Sequence, residues 1–169
     1  MAAGSTYTPI ATTTVSNGTT ATVTFSSIPS TYTDLIITFN GGGEAGGGNV
    51  QFKLNNDTGA NYSFTILRAN GSTASSDREF NFSGYFRWGA YATPTTTHST
   101  IDFAHLNNYS NTTTYKTVLM RTNNAEGGVD ASVGLWRSTA AINRIDVTLP
   151  ATSYLKNGST FTLYGITAA

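Results

Sequence analysis

His98, Ser99 and Asp102 carry the side-chain types of a catalytic base, nucleophile and orienter within one short stretch. Residues that close on a single strand or loop cannot converge on one reacting atom, because the members of such a triad normally come from separate elements. No G-x-S-x-G elbow is present to strain and expose a serine. His98 and the other histidine, His105, are therefore read as structural or surface residues. Two histidines also make a poor metal inventory, with no H-x-H, no H-E-x-x-H and no cysteine pair. Asn55-Asn56-Asp57-Thr58-Gly59 has the oxygen-rich look of a Ca²⁺ loop, but it lacks a second carboxylate and a distal glutamate. An Asx turn is the expectation there. Asp34, Asp57, Asp77, Glu79, Asp102, Asp130 and Asp146 could supply paired carboxylates for glycoside hydrolysis, but the sequence does not place any two of them at the required distance. The expectation is no catalytic residue, no metal and no cofactor.

The aromatics allow two readings. Tyr85, Phe86, Trp88, Tyr91 and Trp136 could form a platform on which sugar rings stack. The alternative, favoured because aromatics dominate β-sandwich interiors, puts Phe80, Phe82, Phe86 and Trp136 in the core. Trp88 and Tyr91 are then the exposed ones, beside a Thr/Pro loop at residues 92–97. Asn-x-Ser/Thr triplets begin at Asn17, Asn61, Asn81 and Asn157, and a chain this rich in Asn, Ser and Thr produces them by chance.

The elements that must position these residues are strands. Apolar residues alternate at Ala21-Val23-Phe25, Leu35-Ile37-Phe39, Val50-Phe52-Leu54, Tyr62-Phe64-Ile66, Ile101-Phe103, Val129-Ala131-Val133-Leu135, Ile145-Val147-Leu149 and Phe161-Leu163-Gly165. The second and eighth sets are expected to face a core. Ile36 lies on the opposite face of its strand, which points to cover on both sides. Asn17-Gly18 is a strong hairpin signal, and residues 49–68 read as a second hairpin around Asn55–Gly59. Gly41–Gly48 reads as a flexible surface loop; it lacks the Lys-Ser/Thr and the helix of a phosphate loop. Helical periodicity is missing and helix formers are scarce. Roughly ten short strands punctuated by Gly, Asn and Pro predict one all-β domain, a single antiparallel β-sandwich over residues 13–169, with jelly roll as the preferred topology. Residues 1–12 are poor in apolar side chains and carry Pro9, and so are expected to form an extended N-terminal arm.

Charge narrows the partners. Charged residues are 11% of the 169, nine positive against nine negative, where about 25% is typical. The basic footprint of a nucleic-acid binder is missing. No apolar run approaches the length of a membrane span, and residues 1–6 lack the basic and apolar regions of a signal peptide. With no cysteine there is no disulfide, which fits folding in a reducing cytoplasm. A surface built from Thr, Ser, Asn and Gly is weakly protected against self-association, a small cost for a subunit of an assembly. The last strand carries Tyr164 and Ile166 on its non-core face, and Tyr7, Pro9 and Ile10 are the bulky residues of the arm. These five form the candidate interface.

Four segments taken in order carry a family likeness: Ser27-Ile28-Pro29 running into Ser30-Thr31-Tyr32-Thr33-Asp34-Leu35; Asn56-Asp57-Thr58-Gly59-Ala60-Asn61-Tyr62-Ser63; Trp136-Arg137-Ser138-Thr139-Ala140-Ala141-Ile142; and Gly158 through Ile166. Together they resemble small virion proteins of tailed phages, many from cyanophages and other environmental phages, over nearly the whole chain. The resemblance implies a non-enzymatic β-sandwich subunit on the capsid surface, a cement or decoration protein. It would be made in the host cytoplasm, bind the major capsid protein and assemble as a homo-trimer. A tail-fibre or receptor-binding domain that contacts host glycans is the alternative. The resemblance assigns no functional residue.

Overall fold

Short β-branched and aromatic alternations need partners on both edges, and the pairing they find runs first strand against last. The computed structural model describes residues 6–44, 48–89 and 95–167. Among them are twelve strands: β1 (Tyr7–Thr14), β2 (Thr22–Phe25), β3 (Asp34–Gly41), β4 (Gln51–Leu54), β5 (Tyr62–Ala69), β6 (Ala74–Phe82), β7 (Phe86–Arg87), β8 (Thr100–Leu106), β9 (Lys116–Asn124), β10 (Gly128–Trp136), β11 (Ile145–Thr148) and β12 (Thr160–Ile166). They form an eight-stranded sheet, β1-β12-β3-β8-β9-β10-β5-β6, and a four-stranded sheet, β2-β11-β4-β7, all pairs antiparallel.

Setting β5, β6, β9 and β10 aside, the remaining eight strands pair β1 with β12, β2 with β11, β3 with β8 and β4 with β7. A long hairpin rolled so that first meets last is the jelly roll, and that expectation is met. The other four strands are two hairpins, β5–β6 and β9–β10, inserted into the roll and added beyond β8 on one sheet. Asn70 turns the first of them, its side chain accepting from the backbone N–H of Ser72 and Thr73.

Three expectations are corrected. Residues 49–68 are not a hairpin: β4 lies in the small sheet and β5 in the large one. The Asn55–Gly59 turn carries the chain between sheets, with Asn55 and Asn56 in the left-handed region, which asparagine tolerates. The Asn17-Gly18 turn likewise joins β1 and β2 across the two sheets. A turn signal shows that the chain reverses, but not which strand it then pairs with. Secondly, residues 7–12 of the expected arm belong to β1, which is hydrogen-bonded to β12 with Tyr7 opposite Ile166 and Thr14 opposite Thr160. Pro9 is tolerated because β1 is an edge strand and bulges between Pro9 and Ala11. Residues 1–5 lie outside the described residues. Thirdly, the glycine stretch is clamped at its start: the Gly42 N–H donates to Ser159 Oγ, and Gly43 bridges Leu155. Residues 45–47 lie outside the described residues.

The core lies between the sheets. Phe39 stacks on Phe161 with ring centroids 4.5 Å apart, and Phe52 packs against Phe86 and Trp88. Leu35, Ile37, Phe39, Phe161 and Leu163 are buried as expected. β10 is turned the opposite way from its apolar pattern. Asp130, Ser132, Gly134 and Trp136 face inward, and Val129, Ala131 and Val133 face solvent. Gly134 explains the choice: a Cβ there would lie 2.5 Å from a ring carbon of Phe86. Only this register seats the Phe86 ring on the sheet and also buries the indole of Trp136.

Candidate interaction surface

The residues that could have formed a triad are held apart. His98, in the loop before β8, contacts the hydroxyls of Thr95 and Thr97 and lies against the Glu126 carboxylate. Asp102 points into the core, 1% exposed, and accepts from the Thr100 hydroxyl at 3.3 Å and the Asn123 N–H at 3.4 Å. Burial pushes the Asp102 carboxyl well above the usual range; those two hydrogen bonds offset it only in part, and the charge of Asp130 adds to it. His105 instead joins Asp34, Nε2 to Oδ2 at 2.9 Å, with the Asn108 N–H on the other carboxylate oxygen.

The acids are occupied in structural ways. Asp57 accepts from the Gly59 N–H at 2.8 Å, the Asn61 amide at 2.8 Å and the Trp136 indole at 2.7 Å, the Asx turn expected. Asp146 is gripped by the Arg144 guanidinium through both oxygens and by the Thr24 hydroxyl at 2.6 Å. Asp77 pairs with Arg68 at 2.6 Å. Asp102, Thr122 and Asp130 form one row on the inner face of β8, β9 and β10. The backbone of Gly89 closes over that row, since a Cβ on it would sit 2.4 Å from Thr122 Oγ1 and 2.9 Å from Asp130 Oδ2. A sugar ring has no room there.

Among the aromatics, Phe86 and Trp136 are core as expected, Phe82 is half-buried, and Phe80 and Trp88 are exchanged. Trp88 is 0% exposed, its indole N–H donating to the Phe103 carbonyl at 3.0 Å. Phe80 is 61% exposed. Phe80 follows Ser76 and Arg78 on the outward side of β6, and the irregularity in the β5–β6 pairing beyond it, with Asn81 in the left-handed region, turns Phe82 inward opposite Tyr62. Tyr91 lies outside the described residues, as does the start of the Thr/Pro loop.

Four of the five candidate interface residues lie together at one corner of the chain. Tyr7 lies opposite Ile166 and Pro9 opposite Tyr164, and the rings of Tyr7 and Tyr164 make an edge contact at 6.2 Å. Ile10 does not join them; it packs against the core. Tyr164 and Ile166 are half-buried on the outer face, so they are not part of the inter-sheet core.

That corner is one end of a larger surface. On the outer face of the large sheet, one cross-strand row runs Tyr164, Ile36, His105, Leu119, Val133, Thr65. The next runs Thr162, Thr38, Phe103, Arg121, Ala131, Leu67, and a third runs Asn40, Ile101, Asn123, Val129, Ala69. Leu67, Phe80, Ile101, Leu119, Val129 and Val133 are all more than two-fifths exposed, and Phe103 is close behind. Taking about 200 Å² for a fully exposed large side chain, these leave on the order of 700 Å² of apolar surface in solvent, interrupted by His105, Arg121 and Asn123, where the largest contiguous apolar patch of a monomer is about 300–600 Å². Two shallow grooves cross it, one of about 300 Å³ under Phe80 and one of about 180 Å³ beside Arg121 and Leu67. The sequence signal for this face was present in β8 and β9, where large apolar residues occupy both faces of one strand.

No family model matches the sequence, and no curated protein matches it. Solved structures with a distant likeness of fold include two alginate lyases and a galectin. The alginate lyase Aly36B shares 7% identity over 80% of this chain and 68% of its own, with a TM-score of 0.36. The galectin LEC-6 of Caenorhabditis elegans shares 9% over 95% and 91%, with a TM-score of 0.32. The marine PL-14 alginate lyase of Aplysia kurodai shares 12% over 82% and 70%, with a TM-score of 0.32. Likenesses this distant carry no argument about activity.

Proposed function

We propose that this chain is a non-enzymatic structural protein of a virus particle, a capsid cement or decoration protein that binds the assembled major-capsid shell. The observation that carries the reading is the exposed apolar outer face of the large sheet. A protein that lived alone in solution would be exposed to aggregation through such a face; a protein seated on a shell covers it. Burial of that face against assembled subunits, and not against free ones, stabilises the shell by mass action. The low charge of the chain suits the same habit, because depletion of charge is what marks the centre of an interface. In this reading the Tyr7, Pro9, Tyr164 and Ile166 corner joins copies of the chain into a trimer.

Quantitative mass spectrometry of purified particles tests it. A copy number comparable with that of the shell protein is expected. Absence from particles, or only the few copies of a tail part, overturns it.

A further inference from the structure

We infer that Arg121 is the polar anchor of the outer face and that the partner surface meets it with a carboxylate set among apolar side chains. The inference rests on the shell-binding reading and adds the chemistry of the partner. Arg121 projects from the middle of β9, with Phe103 and Ala131 beside it in its own row and Leu119 and Val133 in the next. Ile101 and Val129 lie on the other side. An arginine ringed by large apolar residues, with lysine and acids sparse around it, has the make-up of a binding hot spot.

The charge pattern says what it awaits. The other arginines are engaged: Arg68 with Asp77, Arg144 with Asp146, Arg137 with Ser63 and the Ala60 carbonyl, Arg78 over the Phe80 ring, and Arg87 toward the Phe64 ring. Among the described residues, Arg121 alone of the arginines has neither an ion pair, a hydrogen bond nor a ring. Asp34, the acid on this face, is held by His105 and the Asn108 N–H. Glu79 stands on the outermost strand, where it lines the groove under Phe80.

A second copy of the chain is the wrong occupant. Face to face, it would enclose two guanidinium groups at the middle of the sheet, with Asp34 already held by His105 and Glu79 set out at the edge strand, and a buried unpaired charge costs more than the apolar contact returns. The available area, on the order of 700 Å², is close to the roughly 800 Å² that one side of a stable protein interface contributes. A planar guanidinium takes a carboxylate through two parallel hydrogen bonds, which a lysine cannot reproduce.

The experiment uses particles lacking this chain and purified protein added back, with Arg121→Leu and Arg121→Lys beside the wild type. Wild-type protein should rebind, and Arg121→Leu should bind at least about thirty-fold more weakly, as when one member of an enclosed charge pair is removed. Arg121→Lys should restore only part of the loss. Both variants should melt with the wild type, since the side chain is exposed. Arginine-specific labelling of the wild type should modify Arg121 in free protein and spare it on particles. Wild-type affinity in Arg121→Leu, or full labelling of Arg121 on particles, overturns the inference and leaves the shell-binding reading standing. Protection of Arg121 in free, self-associated protein also overturns it, by making a second copy the occupant. Failure of the wild type to rebind overturns the shell-binding reading and the inference with it.

Discussion

The indole N–H of Trp136 donates to a carboxylate oxygen of Asp57 at 2.7 Å, fastening the end of β10 in the large sheet to the turn that leaves the small one. The same carboxylate holds the turn itself through Gly59 and Asn61. Burial works to raise its pKa, but the hydrogen bonds from Trp136, Asn61 and Gly59 together outweigh burial and hold it below the ordinary value. A group depressed on folding contributes stability that is present above its unfolded pKa, about 3.9, and lost as pH falls through the folded value. Asp57→Ala should cost roughly 1–3 kcal/mol at neutral pH, the penalty for stranding a half-buried donor. Urea unfolding at neutral and at strongly acid pH checks it. The gap between variant and wild type should narrow in acid, and an equal gap at both would place the effect elsewhere.

Asp102 has the opposite sign. Its raised pKa means that the folded protein binds the proton more tightly than the unfolded chain does. Stability linked to it is full below the unfolded value and is lost as pH rises toward the folded one. Asp102→Asn, a neutral mimic of the protonated acid, should therefore stabilise the protein increasingly from acid toward neutral pH. Melting temperatures across that range decide it; a variant less stable at every pH would mean that the amide cannot replace the acid in its site.

Gly134 and Phe86 should be energetically coupled. Gly134→Ala forces a methyl group into the ring, and overpacking of this kind costs roughly 1–3 kcal/mol. Phe86→Leu in the same chain should recover part of that cost. A double-mutant cycle measures the coupling, and strict additivity would show that the ring moves aside freely.

Deleting residues 1–9 should weaken the fold, not merely its attachment to a particle. The deletion removes the pairs Tyr7–Ile166, Thr8–Gly165 and Pro9–Tyr164 and bares that end of β12 as an open edge. A lower melting temperature and self-association are expected by calorimetry and light scattering. A truncated protein as stable and monodisperse as the full chain would show that this end of β1 contributes nothing.

Tyr164→Ser with Ile166→Ser tests the corner contact. Both side chains are half-buried on the outer face and neither belongs to the inter-sheet core. The double variant should lose oligomer mass by light scattering before it loses thermal stability. Unchanged mass, or outright unfolding, would remove these residues from any interface between copies.

Alternation and turn residues determine, from sequence alone, that this chain is all β and wraps as a two-sheet roll. Leu35-Ile37-Phe39 and Phe161-Leu163 could face only a core, and the Asx turn at Asp57 was written in its own five residues. What pairs with what was decided in three dimensions. β1 finds β12 across almost the whole chain, a contact that no local pattern encodes. β10 shows why faces are equally hidden. Period-two alternation divides a strand into two sides without naming the buried one, and in β10 the apolar Val129, Ala131 and Val133 form the outer side. The space needed by Phe86 over Gly134, and the volume of Trp136, turned them outward beside Leu119 and Ile101. The exposed apolar face exists because close packing between sheets is settled by the bulkiest rings and the smallest residue facing them, and the other side of each strand goes wherever that choice leaves it.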